Sequence, residues 1–115
     1  MTDVKIPRQI DEMDEAIYAW EDSIENLRVT QLEQMTKETM FKSWEASQKL
    51  AYIKIHKISA VMAEAEVRAK TEWVTKMIDL SQATVNLEEK KRLARLAEAK
   101  WETARSRQVT LRNVR

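Results

Sequence analysis

Apolar residues recur at steps of three and four along most of this chain, with polar residues filling the places between. The clearest run lies in MFKSWEASQKLAYIKIHKISAVMAEAEVRAK, residues 40–70. There Phe41, Trp44, Gln48, Ala51, Ile55, Ile58, Met62, Ala65 and Ala69 form one stripe of a helix, the seam a long helix offers to a partner. Ile10, Met13, Ile17, Trp20, Ile24 and Leu27 make an earlier seam of nearly three heptads, an amphipathic first helix. After Leu27 the heptad places hold Gln31 and Gln34, while apolar residues move to Val29, Leu32 and Met35. That loss of register predicts a joint at residues 28–32. Leu87, Leu93, Ala94, Leu96, Ala97, Trp101, Ala104 and Leu111 give a third, alanine-rich seam. A break before it is expected at 79–81, or at 84–86, where Asn86 and Glu89 have the spacing of a helix N-cap with a capping box.

The expected fold class is therefore all-α, with helices at about 9–28, 32–78 and 82–112. The second would be on the order of 65–70 Å long at about 1.5 Å per residue. Small residues on the second and third helices allow close approach, so these two are paired as an elongated antiparallel hairpin or coiled coil. The N-terminal amphipathic helix is an addition to that hairpin. Residues 1–8 are read as a mobile arm and 9–115 as a single helical domain. Two paired helices cannot hide Trp44, Trp73, Met77, Ile78 and Trp101, so a homo-oligomer is expected.

Composition sharpens this picture. The chain of 115 residues has no glycine and a single proline, Pro7, so the residues of tight turns are missing from its body. Folds with several sharp turns are hard to build from it. There is no cysteine, hence no disulfide framework and no thiolate metal site, and a cytoplasmic location is expected. The N-terminal residues lack the apolar run of a secretory signal, and no window is apolar enough to span a membrane. Charge is nearly balanced overall at +1 but unevenly placed. Residues 1–47 hold 5 basic against 11 acidic side chains, and residues 88–115 hold 9 against 4. Opposite ends can pair with each other, within a hairpin or between subunits, or leave the basic end free for a polyanion.

Candidate chemistry is sparse. His56 is the only histidine, and the carboxylate pairs Asp11/Glu12, Asp14/Glu15 and Glu88/Glu89 sit at expected helix starts, where dipole and capping account for them. No glycine-rich phosphate loop and no nucleophile-base spacing occurs, so neither an enzyme, a metal site nor a cofactor is expected. Two settings suit single-stranded nucleic acid, in which basic side chains neutralise phosphates while aromatic faces stack bases. One is Lys49, Tyr52 and Lys57 on the long helix, and the other is Lys90, Lys91, Arg92, Arg95, Trp101, Arg105 and Arg107 on the last. The residues expected at a partner or oligomer interface are Ile10, Met13, Ile17, Trp20, Ile24, Leu27, Trp44, Ile55, Ile58 and Met62.

The segment AEAEVRAKTEWVTKMIDLSQATVNLEEKKRLARLAEAKWETARSRQ resembles, in layout and residue class, small helical proteins encoded among the recombination and replication genes of tailed bacteriophages. The nearest in layout are the UvsY-type recombination mediators. The resemblance covers about residues 40–110. It implies a non-enzymatic oligomer in a bacterial host cell that contacts single-stranded DNA and a recombinase or other DNA-processing protein. The chain departs from that pattern in its lack of glycine and its strongly basic last helix. The alternative is a structural or chaperone-like coiled-coil adaptor, or an inhibitor of a host enzyme, with no nucleic acid involved.

Overall fold

A computed structural model describes the backbone of residues 8–113 and the side chains of 12–113. It contains three helices: α1, Arg8–His56; α2, Ala60–Arg68; and α3, Thr71–Asn113. Among the described residues there is no strand. The mobile arm expected over residues 1–8 falls outside them, apart from Arg8, which already belongs to α1.

The helix boundaries differ from those expected, and each difference has a physical reason. No joint occurs at 28–32, because α1 runs through it for 49 residues. The buried and half-buried side of α1 continues in register through Leu27, Thr30, Gln34, Lys37, Phe41, Trp44 and Gln48. The seam is kept, but with polar occupants. Val29, Leu32 and Met35, whose shift suggested a break, are exposed on the other side of the same helix. The first helix is therefore the beginning of α1 and not an addition to a hairpin. Likewise α3 runs unbroken through 79–86, and the expected cap Asn86 sits inside it, its Oδ1 accepting from Gln82 Nε2 at 3.1 Å.

The rod expected at 40–70 is interrupted twice. Residues 57–59 leave the helix, with Lys57 at φ 52, the left-handed conformation that glycine usually supplies at a helix end. Ser59 then caps α2, its side chain accepting from the Met62 N–H at 3.2 Å. At the second interruption the Ala69 N–H reaches Ala65 O at 3.1 Å, and Lys70 O accepts from Trp73 N at 3.1 Å to begin α3. The short α2 buries Ala63 and Val67 completely.

The chain divides into two units. The turn unit, Thr30–Leu87, holds the end of α1, all of α2 and the start of α3. Its two long segments run antiparallel: Gln34 meets Thr84 at 3.5 Å, Lys37 meets Asp79 at 3.2 Å, and Glu45 accepts from Trp73 Nε1 at 2.7 Å. Phe41 is buried between Trp44 and Trp73, with ring centroids 6.4 and 6.0 Å away. The terminal unit comprises the described residues up to Val29 and from Glu88 onward. Here too α1 and α3 are antiparallel: Glu12 pairs with Arg107 at 2.6 Å, and Trp20 stacks on Trp101 with centroids 5.0 Å apart. Ala94 and Ala104 are buried in this unit, and such small side chains let two helix backbones approach closely.

Candidate interaction surface

Of the ten basic and aromatic residues singled out for nucleic acid, Lys49, Tyr52, Lys91, Trp101, Arg105 and Arg107 have partners within the chain. In the turn unit, Lys49 lies 3.6 Å from Glu45 and 3.8 Å from Glu64. The Tyr52 ring is flanked by His56 at 5.4 Å and by Lys70 Nζ at 5.0 Å, and Lys70 also donates to Gln48 at 2.6 Å. Lys57 is exposed in the interruption after α1. In the terminal unit Lys90 and Lys91 are half-buried along the seam, and Lys91 pairs with Glu88 at 3.2 Å. Trp101 has Trp20 against it and the Arg105 guanidinium 5.3 Å from its ring centroid. Arg107 is tied to Glu12, while Arg92 and Arg95 are exposed and make no ion pair among the described residues.

Charge follows the same logic. Folding sets the acidic start of α1 beside the basic end of α3, so residues 8–29 and 88–113 together carry ten basic and eleven acidic side chains. One ion pair, Glu12 with Arg107, joins the two ends within the terminal unit. It is exposed and contributes roughly 0–1 kcal/mol. The two ends side by side carry little net charge together.

Glu38 shows how local this pairing is. Lys42, at 3.1 Å, holds its carboxyl below the usual glutamate range, first through the hydrogen bond and then through charge, and Gln34 Nε2 adds a donor at 3.4 Å. No group of three or more potential metal ligands occurs among the described residues, and no described helix is long and apolar enough to cross a membrane.

The expected interface residues separate into two sets. Met13, Ile17, Trp20, Leu27, Trp44 and Ile58 are half-buried. Trp20 and Trp44 find aromatic neighbours within the chain. Ile24, Ile55 and Met62 are exposed, and the side chain of Ile10 lies outside the described ones.

A second apolar surface was missed. On α1, opposite the seam, the positions Val29, Leu32, Thr36, Thr39, Ser43, Ala46, Leu50 and Ile53 carry no charge at all, in a chain that is 34 % charged. All but Ile53 are exposed, and Met35 and Met40 flank them, also exposed. The signal was present in the shift to Val29, Leu32 and Met35, but it looked like a lost register and not like a second stripe. In the terminal unit an open cleft of about 580 Å³ is floored by Ala16, Ala19, Ala97 and Ala104, with Leu93 and Leu96 beside them. It is shaped by small residues and rimmed by Glu12, Glu15, Lys100 and Arg107. Comparison of the chain with family models, with curated proteins and with solved structures finds no match.

Proposed function

We propose that this chain is a non-enzymatic helical adaptor that works by protein-protein contact. One observation carries the reading: among the described residues 17 large hydrophobic side chains are exposed, while the buried apolar set is Phe41, Val67, Leu87 and four alanines. A monomer that ends its folding with more large apolar groups outside than inside has surface left for other helices. Uncharged helical faces are what such partners recognise, in the manner of an amphipathic helix laid against a groove.

Within this reading Lys49, Lys91, Arg105 and Arg107 serve the hairpin itself, holding its charges and rings together. The phage-type recombination accessory role also implies an oligomer, and differs in expecting single-stranded DNA to bind along Lys90 to Arg107. Sedimentation of the full chain from nanomolar to micromolar concentration, beside fluorescence anisotropy of a labelled single-stranded oligonucleotide over a salt series, separates the two. The adaptor reading expects mass to rise with concentration and anisotropy to stay flat at low salt. Oligonucleotide binding that weakens steeply with salt overturns it, and so does a constant monomer mass.

A further inference from the structure

The uncharged face of α1 reads nearly the same in both directions. Its core places, Leu32, Thr36, Thr39, Ser43, Ala46 and Leu50, are spaced four, three, four, three and four. Reflection about position 41 sets Leu32 opposite Leu50, Thr36 opposite Ala46 and Thr39 opposite Ser43. One step further out along the same helix, Val29 and Ile53 match as two β-branched residues. Large therefore faces large at the ends, and small faces small in the middle.

We propose that two copies of the chain associate antiparallel through this face of α1, about a two-fold axis near position 41. The inference deepens the adaptor reading and rests on it, by naming a second copy as the occupant. A two-fold interface requires a patch complementary to itself, and an antiparallel helix pair achieves that when its core residues are ordered symmetrically about the axis. The hydroxyl and alanine side chains at the centre let the backbones approach, and the exposed Leu32, Leu50, Met35 and Met40 supply the apolar area on either side. Lys42 is the charge nearest the axis, and Glu38 at 3.1 Å already compensates it. The other side of α1 remains with α3, so neither copy has to unfold to pair.

The absence of cysteine makes the test direct. Thr39→Cys and Ser43→Cys chains are prepared separately, mixed and mildly oxidised, beside a sedimentation series on the wild type and on Leu32→Glu. The expected result is a disulfide-linked dimer formed faster in the T39C and S43C mixture than in either chain alone, since the antiparallel arrangement sets these positions opposite each other. Leu32→Glu, at an exposed position that leaves helicity unchanged by circular dichroism, is expected to weaken the dimer by roughly 100-fold, because the two-fold axis counts the lost contact twice. A mass that still rises with concentration in Leu32→Glu overturns this interface while leaving the adaptor reading standing. Faster linkage of T39C to itself overturns the antiparallel arrangement. A wild-type monomer that binds the oligonucleotide overturns both readings.

Discussion

The indole rings of Trp20 and Trp101 lie 5.0 Å apart, inclined at 30°, and clasp α1 to α3 in the terminal unit. Such a pair contributes about 0.5–1.5 kcal/mol beyond the area it buries. The Trp101 Nε1 is buried without a hydrogen-bond partner among the described residues. Trp20→Ala is therefore expected to cost about 2–3 kcal/mol, somewhat less than a fully enclosed tryptophan. Trp101→Phe, which keeps a ring and removes the orphaned N–H, is expected to cost under about 1 kcal/mol. Urea denaturation of both variants checks the contrast, and equal losses would mean that the indole N–H is satisfied in solution.

Lys57 supplies a second prediction. At φ 52 a residue with a Cβ is strained by roughly 1 kcal/mol relative to glycine. Lys57→Gly is expected to raise thermal stability by up to about that amount, less what glycine gains in the unfolded chain. A fall in the melting temperature would show that the left-handed conformation is not held in solution.

Glu12 and Arg107 are 2.6 Å apart and substantially exposed. Reversing either one alone should cost on the order of 0.5 kcal/mol at low salt, and the double swap Glu12→Arg with Arg107→Glu should recover most of it. A thermodynamic cycle at two salt concentrations tests this, and the coupling should shrink as salt rises.

Glu38 contributes to the acid side of the pH profile. Because Lys42 lowers the Glu38 carboxyl below the usual glutamate range, any stabilisation from this pair is present above the unfolded group's titration and lost as pH falls through the lowered, folded one. Carboxyl resonances followed by NMR should place Glu38 below the usual glutamate range, and Lys42→Met should bring it back toward that range. An unchanged Glu38 midpoint in that variant would exclude Lys42 as the cause.

The all-helical class followed from the sequence, since a chain with Pro7 as its one proline and no glycine lacks the material for tight turns. The seam of α1 could be read at Met13, Trp20 and Leu27 and again at Phe41 and Trp44. Between them it could not, because Thr30, Gln34 and Lys37 occupy it, and apolar periodicity is blind to a seam closed by hydrogen bonds and an ion pair. The interruption at Lys57 was hidden for the converse reason, since a lysine there takes a conformation that composition assigns to glycine. As for the candidate site, the sequence revealed the opposed charges of its two ends. It did not reveal that the ends lie side by side.

The mixed character of the seam also limits how the hairpin can yield. Within the turn unit, sliding α3 along α1 would part Lys37 from Asp79 and Trp73 from Glu45. A pull on the turn unit should therefore be answered by opening at its end, like a zip, and not by slippage.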